Sequence, residues 1–588
     1  MDINKYKWLG SALCLALMLV TASCSMHDDI SDDCGRSDGK QQVYVKLRLT
    51  VPSQNQGTRA KDPAGGEENG EGREEGQSYE NSITSALVFF YRSADGINSD
   101  ASTPIDEYAY MTVTEGVTNV MQIELELDTE YNVLVVANPG DYSWVSTEEG
   151  RNLGGVRNHI CTQAWGGNDD EDYRDFVMSS EDGRETITVT DENTSEANPA
   201  TVGVTVERLA ARVDYKTNQE NNYPCGDALG SVNITGAVII NQLSAGTYLI
   251  KRVTHGDDIN ADVVYLGDEE PATGGMATNY VIDPWTLDKN AANAVLSDGN
   301  NNFELPNGQK VNAAGLYNPE TYFQTIPDGT NPKTWAGYCE EGTDMVGEGA
   351  GWKRIGYTLE NTTLEENTST NYNTGIVFKA QFHPAGVEYK DGHTFFRYNT
   401  TIYTTLTGMM ASLNNKQNFA QYVTAAVADF NDWGDVTAFA NGLTDPTGYK
   451  AYLSELATSG EDFSRDAIPD WNKYMHNVLG VDESSSVDGP QINLDGINTR
   501  EVLFTNSSER LRTYYHGQCY YIWWLRHSNN DDDTSNGVME YAVVRNNIYK
   551  VTVNSVSTIG GDIPGEEELR AHVYVNDWVA LRDETLPM

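Results

Sequence analysis

The sequence predicts a mostly β protein built from two or more domains. It has 588 residues, among them 53 glycines and 33 tyrosines, and its abundant Thr, Asn and Val residues favour strands and turns. Many short segments alternate apolar and polar residues, as a strand with one buried face does. Convincing helical spacing occurs only at residues 416–430 and 448–456. We therefore expect a small helical insertion in the second domain.

The N-terminus has the features of a secretory signal. A positively charged start precedes an apolar run at residues 9–20, which is too short to cross a bilayer and is followed by small residues. The order VTASC at residues 20–24 resembles a bacterial lipobox, in which the cysteine is acylated and becomes the first mature residue. We therefore predict a lipoprotein signal peptide at residues 1–23 and lipidation of Cys24. An ordinary signal cleaved near Ser25 is the alternative.

The mature chain is expected to begin with a tether followed by one strand. Acidic and small polar residues up to position 42 cannot bury enough apolar surface to fold. Acidic residues directly after a lipidated cysteine also resemble a signal for the outer face of the outer membrane. Residues 42–51 then form the first clear strand, which must cover a core. The apolar face of this propeptide strand consists of Val43, Val45, Leu47, Leu49 and Val51.

A loop open to proteolysis is predicted directly after this strand. Residues 52–76 are rich in Gly, Glu and Gln and contain almost no large apolar residue. Arg59 followed by Ala60 offers a trypsin-like cleavage site in this loop, and Lys61 and Arg73 are competing sites. Cutting after Arg59 would release residues 24–59, which are the tether and the propeptide strand.

The rest of the chain is predicted to form two β domains. A polar, Pro-containing stretch at residues 217–230 is the best boundary, so we assign residues 60–222 to an N-terminal domain and residues 223–560 to a C-terminal domain. The strands expected within them are residues 85–91, 131–137, 202–215, 232–240, 375–382, 398–406, 518–525 and 541–553.

The C-terminus is predicted to carry a detachable strand. Residues 557–568 form a Gly, Pro and Glu-rich stretch with no reason to pack, and we assign residues 561–588 to a linker and a donor-strand tail. The tail repeats the apolar alternation of the first strand, with Asp577 as its one polar interruption, so either strand could cover the same kind of groove. Its apolar positions are Val573, Val575, Val579 and Leu581.

Composition and motifs exclude several kinds of function. The chain has 39 Lys and Arg against 87 Asp and Glu, a formal charge of -48, which repels nucleic acid and anionic lipid. We find no metalloprotease, serine hydrolase or phosphate-loop motif, and assign no catalytic residue, cofactor or metal. The carboxylates at residues 168–172 and 531–533 could bind calcium, but they lack the spaced ligands and turn glycine of a dedicated loop. Solvated acidic loops are the preferred interpretation.

The cysteines and histidines do not indicate a metal site either. Four cysteines remain beyond residue 59, and they are widely spaced; a chain of this length needs no disulfide for its core, so none is predicted. They are Cys161, Cys225, Cys339 and Cys519. Cys519 lies near His516 and His527, which could suggest a thiol or metal site. Their place in or beside an aromatic strand favours ordinary packing.

Several segments together resemble one family. They are VTVERLAAR at residues 204–212, VVRNNIY at residues 543–549, CYYIWWL at residues 519–525, GTRA at residues 57–60 and VYVNDW at residues 573–578. In order and spacing they resemble the major-subunit fimbrillins of Bacteroidales, specifically the short (minor) fimbria type, also called type V pilins. Residues 255–370 and 407–515 do not align with that pattern.

The resemblance implies a fold and a function. The fold would be two transthyretin-like β-sandwich domains. The chain would be a structural stalk subunit, and not an enzyme, made as an outer-membrane lipoprotein precursor and cut by a trypsin-like surface protease. The C-terminal strand of one subunit would then fill the groove vacated by the N-terminal strand of another, giving an extracellular fimbrium that supports adhesion and biofilm formation. Partners would be other copies of the chain and the fimbrial anchor and tip subunits.

Two other functions remain open on sequence. A surface glycan-binding lipoprotein would also be lipidated, acidic, β-rich and Trp-rich, and its tryptophans could stack on sugars. The candidates are Trp433, Trp471, Trp523 and Trp524. A tip or anchor subunit of the same fimbria is the second possibility. A tip subunit needs a groove but no donor tail, so the tail favours a stalk subunit.

Overall fold

The computed structural model describes a little over half of the chain. The described residues are 39–51, 73–114, 119–167, 173–226, 229–240, 244, 246–269, 277–286, 303–304, 310–311, 339–340, 352–362, 373–385, 395–398, 401–403, 430–442, 449–464, 467–468, 502–503, 510–514, 517–528, 536–561 and 570–579.

Strands dominate the described residues, as predicted. The strands of the first part of the chain are β1 (Lys40–Thr50), β2 (Arg73–Glu75), β3 (Ser85–Tyr91), β4 (Glu107–Thr112), β5 (Val120–Glu126), β6 (Thr129–Ala137), β7 (Ile160–Cys161), β8 (Met178–Ser180), β9 (Thr186–Val189), β10 (Ala200–Arg208), β11 (Ala211–Lys216), β12 (Tyr223–Cys225) and β13 (Gly230–Ile240). Those of the second part are β14 (Thr247–Tyr248), β15 (Arg252–Val253), β16 (Val264–Tyr265), β17 (Phe303–Glu304), β18 (Lys310–Val311), β19 (Cys339–Glu340), β20 (Trp352–Thr358), β21 (Gly375–Pro384), β22 (Phe395–Tyr398), β23 (Thr401–Tyr403), β24 (Val502–Leu503), β25 (Arg510–Tyr514), β26 (Gln518–Trp524), β27 (Asn547–Ser555) and β28 (Arg570–Val579).

Helices form a small part of the described chain. The α-helices are α1 (Ser78–Asn81), α2 (Leu153–Asn158), α3 (Trp433–Gly442) and α4 (Tyr449–Thr458), and 3-10 turns occupy Gly96–Asn98, Ser143–Ser146, Glu149–Arg151 and Asp191–Thr194. Helix α4 confirms the helical pattern predicted at residues 448–456. Helix α3 was not predicted, and residues 416–429 of the other predicted helix lie outside the described residues. No described helix is long and apolar enough to cross a membrane.

The first core lies under one large sheet. Its strand order is β4-β3-β6-β8-β10-β1-β5, with β9 added beside β6. Alternate residues of β3 face opposite sides: Val88 and Phe90 join the first core, whereas Leu87 and Phe89 pack on the other side against the segment around α2. Both faces of β3 are therefore buried, which explains its almost continuous apolar sequence.

The second core lies between two further sheets. One has the order β2-β28-β27-β11-β20 and the other β12-β13-β21-β26. Val213 of β11 and Val551 of β27 belong to the same buried cluster as Ile234 of β13 and Phe378 of β21. Two sheets that share one apolar layer form a β-sandwich-like arrangement, as the sequence predicts.

The chain passes from the first core to the second over two residues. Ala210 belongs to the first cluster and Ala211 to the second. The single strand predicted at residues 202–215 is consequently two strands, β10 and β11, in different sheets. The domain boundary predicted after residue 222 falls later than this crossing, and the division into domains stays a prediction.

A buried ion pair between Arg545 and Glu360 also bonds the backbone of β14. The guanidinium of Arg545 donates to both carboxylate oxygens of Glu360, each at 2.7 Å, and to the Tyr248 carbonyl at 2.6 Å. Both charged side chains are fully buried. Bidentate pairing compensates both buried charges.

We expect Arg545→Met to lower the free energy of unfolding by about 3–5 kcal/mol, because it leaves the Glu360 carboxylate buried without its cation. Urea denaturation of the purified protein would measure this. The matched control is Arg92→Met: Arg92 pairs with Asp106, but its side chain is 47% exposed, so we expect a loss of about 1 kcal/mol at most. Equal effects of the two variants would contradict the role given to the buried pair.

A partly buried carboxyl directly after β8, that of Glu181, makes stability depend on pH. Burial, and then the negative charge of Glu207, raise the pKa of Glu181 to about 7, although Lys251 opposes the shift. Lys251 itself bonds Glu207 at 3.1 Å. The folded protein therefore keeps a proton on Glu181 at a pH where the unfolded chain has lost it.

Because the folded state binds the extra proton, stability should fall as pH rises from about 4.5 to 7. We expect Glu181 to account for up to about 3 kcal/mol of that fall. Urea denaturation at several pH values should show a smaller pH dependence for Glu181→Gln than for the unmodified protein. Glu148→Gln, at a side chain that is 95% exposed, is the control. An unchanged pH profile in Glu181→Gln would refute the assignment.

Candidate functional site

Strand β1 is an integral, two-sided member of the first sheet. Its first half pairs antiparallel with β5, from Lys40 opposite Glu126 to Lys46 opposite Val120, and its second half pairs parallel with β10. The apolar face predicted from the sequence is confirmed as buried. Val43, Val45, Leu47 and Leu49 are fully buried, and Val51 is 6% exposed.

Removal of β1 would therefore open a groove between β5 and β10. Burying five Val and Leu side chains is worth about 1.5–3 kcal/mol each, or on the order of 10 kcal/mol in total. The start of the strand is held further by Lys40, whose ammonium bonds Glu107 at 2.7 Å and the Asp106 carbonyl at 2.8 Å. Such a strand does not leave spontaneously while the chain remains intact.

The predicted processing residues lie outside the described residues. This holds for the lipidation site Cys24 and for Arg59 and Ala60. The competing site Arg73, in contrast, begins β2, where its backbone is paired with Asp577 of β28. A protease needs an unpaired, extended backbone, so Arg73 is a poorer site than a residue in an exposed loop.

The C-terminal strand β28 is paired within its own chain. It runs antiparallel to β27, with Val573 opposite Val551 and Val575 opposite Tyr549, and its other edge pairs with β2. The strand predicted for the tail is thus present, and it includes Val573, Val575 and Val579. Leu581 lies outside the described residues. Any donation of β28 to a neighbour must first break these two sets of backbone hydrogen bonds.

A group of buried charges, which we call the back-face cluster, lies against this sheet. It consists of Glu74, Glu80, Arg212, Asp214 and Lys550. Arg212 is fully buried and bonds Glu74 at 2.5 Å, Asp214 at 3.0 Å and Glu80 at 3.1 Å. Lys550 bonds the second oxygen of Glu74. Val213 and Val551 point into the second core. Arg212, Asp214 and Lys550 alternate with them along the strands, so their side chains lie on the opposite face of the sheet.

Two members of the back-face cluster, Arg212 and Asp214, have shifted pKa values. Burial alone would lower the pKa of Arg212, but Asp214, Glu80 and Glu74 together raise it above its ordinary value. Burial raises the pKa of Asp214 to about 6, with Arg212 opposing the shift. Glu80 also accepts a hydrogen bond from the Tyr357 hydroxyl. The sequence signal for this cluster is a charge at an interior position of an apolar strand, as in ARVDY and IYKV.

The other predicted candidates occupy packing positions. Cys519 is fully buried, and burial raises the pKa of its thiol to about 12. His527 is buried too, with one ring nitrogen 2.8 Å from the Tyr549 hydroxyl and the other 3.1 Å from the Glu269 carboxylate. His516 lies outside the described residues. Within the described part of the chain, no group of acidic, His and Cys side chains could hold a metal.

The remaining cysteines and the acidic runs add no site. Cys161 and Cys225 are buried free thiols, like Cys519. The side chain of Cys339 and the acidic residues 168–172 and 531–533 lie outside what the structure describes.

The tryptophans do not form a sugar platform among the described residues. Trp524 is 8% exposed within β26, and Trp523 is half-buried next to it. The indole nitrogen of Trp433 donates to the Glu461 carbonyl at 2.7 Å. Trp471 lies outside the described residues.

The two segments that carry most of the family resemblance meet in space. Asn546, in the left-handed region at φ 55°, accepts hydrogen bonds from the backbone and guanidinium of Arg208. Its own N–H donates to the Ala210 carbonyl at 2.8 Å, and Ile548 pairs in register with Arg212. The segment at residues 543–549 therefore fastens the crossing between the two cores.

Comparison with known proteins agrees with this resemblance. Residues 512–584, which include β26, β27 and β28, match the family described as major fimbrial subunit protein type IV, fimbrillin, C-terminal. Comparison with curated proteins finds no match.

Solved structures similar to the chain have low identity. A candidate cell adhesion protein from Parabacteroides distasonis ATCC 8503 is 12% identical, with 92% of this chain and 100% of that chain covered and a TM-score of 0.36. A fimbrillin from Porphyromonas gingivalis W83 is 11% identical, with 92% and 99% covered and a TM-score of 0.32. The tip fimbrial protein Mfa3 from P. gingivalis is 11% identical, with 41% and 68% covered and a TM-score of 0.21. Residues 512–584 of the chain are therefore identified as a fimbrillin C-terminal region, as found in major fimbrial subunits.

Proposed function

We propose that the chain is a stalk subunit of a cell-surface fimbria, made as a lipoprotein, cut after Arg59 and polymerised by donor-strand exchange. The observation that carries the proposal is β1, a strand paired on both sides and buried along one face, which ends nine residues before Arg59 in the sequence. Cleavage would let β1 leave with the tether and lipid. The opened groove would then accept the C-terminal strand of another copy.

The groove has the chemistry that such an acceptor needs. Loss of β1 would leave the facing edges of β5 and β10 without partners and expose apolar side chains of the first core, among them Ile123 of β5 and Val204 of β10. An incoming strand that adds to the two edges would pair their backbone groups again and cover the exposed apolar side chains. The tail offers Val573, Val575 and Val579 on one face of the same two-residue alternation, with Asp577 as its one polar interruption. No cofactor or nucleotide is required for this exchange.

The proposed product is an extracellular fimbrium that promotes adhesion and biofilm formation. Its partners would be further copies of the chain, the anchor and tip subunits, and a trypsin-like surface protease. Before cleavage, the lipid on Cys24 would hold the precursor in the outer membrane. The paired backbone at Arg73 favours Arg59 or Lys61 as the processed residue.

We expect Arg59→Ala to leave a full-length lipidated monomer at the cell surface, because β1 can then no longer be released. Mass spectrometry of the surface protein and an unboiled denaturing gel would detect the uncut N-terminus and the missing polymer ladder. The matched control is Lys61→Ala, which should be cut and should polymerise normally. Normal ladders from Arg59→Ala together with none from Lys61→Ala would move the site to Lys61.

We expect Val575→Asp to abolish donation while the groove of the same subunit still accepts a normal tail. The reason is that a carboxylate cannot enter the apolar groove without a large desolvation cost. When the variant is mixed with cut, unmodified subunits, each variant subunit should end one polymer, which shortens the ladder in proportion to the amount added. Asn576→Asp adds the same charge at the alternate strand position and is the control. A normal ladder from Val575→Asp alone would refute the donor assignment.

A further inference from the structure

The C-terminal strand is enclosed by its own chain. β28 pairs with β27 along its length, and its other edge pairs in parallel with β2, from Arg73 opposite Asp577 to Glu75 opposite Val579. β2 comes shortly after the predicted cleavage site in the sequence. β28 therefore cannot leave its sheet unless its pairing with β2 breaks as well as its pairing with β27.

The side chain of Glu74 reaches across β28. The strand order β2-β28-β27-β11 places two strands between Glu74 and Arg212 and one between Glu74 and Lys550. The Glu74 carboxylate nevertheless bonds Arg212 at 2.5 Å and also bonds Lys550. It therefore links the strand on one side of β28 to two strands on its other side.

This bridge is buried, so it resists opening. The side chains of Glu74, Lys550 and Arg212 are only 5%, 6% and 0% exposed. Breaking the bridge without admitting water would leave buried charges unpaired, which costs far more than the loss of an exposed ion pair. The bridge consequently holds β2 in place, and β2 holds the free edge of β28.

We infer that Glu74 is a positioning residue that keeps the C-terminal strand in its own sheet until assembly, an inference that rests on the proposed donor function. Before cleavage, β2 is joined through the chain to β1, which is fixed in the first sheet. After a cut at Arg59, the N-terminal side of β2 is a free chain end. One cleavage would thus open the acceptor groove and also weaken the clamp on the donor strand.

Hydrogen exchange of the full-length precursor tests the clamp directly. We expect Glu74→Gln, which keeps the size of the side chain but removes its charge, to speed amide exchange at residues 570–579 by about tenfold, with β13 and β21 unchanged. Glu80→Gln is the matched control, because Glu80 is a buried carboxylate of the same cluster that lies on α1 and not on β2. Its exchange at residues 570–579 should change by less than about threefold.

Several outcomes of the exchange experiment would overturn the role given to Glu74. Unchanged exchange in Glu74→Gln, or an equal increase in Glu80→Gln, would overturn the inference. Faster exchange throughout β13 and β21 would show a general structural role and would overturn it too. Glu74→Asp keeps the charge on a shorter side chain, so it should restore part of the protection at residues 570–579. No restoration by aspartate would contradict a charge-dependent bridge.

Assembly kinetics separate this inference from the proposed function. After cleavage by a trypsin-like protease, Glu74→Gln subunits should form ladders faster than unmodified subunits. A second variant joins β27 to β28 through Thr552→Cys and His572→Cys, which lie opposite each other in the register. The oxidised form should not polymerise, and a reductant should restore the ladder. Polymer from the oxidised form would refute donation of β28, whereas an unchanged rate for Glu74→Gln would refute only the clamp.

Discussion

The structure depends on how the chain crosses from its first core to its second. Arg208 ends the last strand of one sheet, and Arg212 lies in a strand of another sheet four residues later. Between them, Ala210 and Ala211 are fully buried in separate cores. Because the crossing is buried, its polar groups need hydrogen-bond partners. Asn546 supplies several of them, which joins a late segment of the chain to an early one.

This crossing explains why buried charges gather in a protein that is otherwise built from apolar strands. Arg212 and Lys550 occupy interior positions of strands whose alternate residues fill the second core. Their side chains must point to the opposite face, where the segment that contains Glu74 and Glu80 covers them. Buried ion pairs add little net stability compared with apolar packing, but they penalise any arrangement that leaves one charge alone. The back-face cluster therefore selects one placement for the segment that follows β1.

The two strands proposed for exchange are held by different forces. β1 is held by apolar burial and by backbone pairing with β5 and β10, and these hydrogen bonds could be made equally well by any strand with the same alternation. β28 is held in its own chain by pairing with β27 and β2, and β2 is in turn fixed by charge. In the proposed exchange, the acceptor groove would take any strand with this alternation, whereas release of the donor strand would depend on particular residues. One proteolytic cut could therefore release β1 and also weaken the hold on β28.

The sequence alone determined the local features whose cause is local. Alternation at residues 43–51 predicted a one-sided strand, and β1 has that burial, because side-chain direction in a strand follows from its two-residue period. The family resemblance was confirmed for the C-terminal region by residues 512–584. The formal charge of -48 predicted that the chain does not bind nucleic acid. The tertiary structure decided which strands are neighbours, since pairing partners such as β1 and β10 are distant in sequence. It also decided that Glu74 meets Arg212 and Lys550. The polar sequence around Glu74 predicts a solvated charge, because the two buried cations that it meets are distant in sequence.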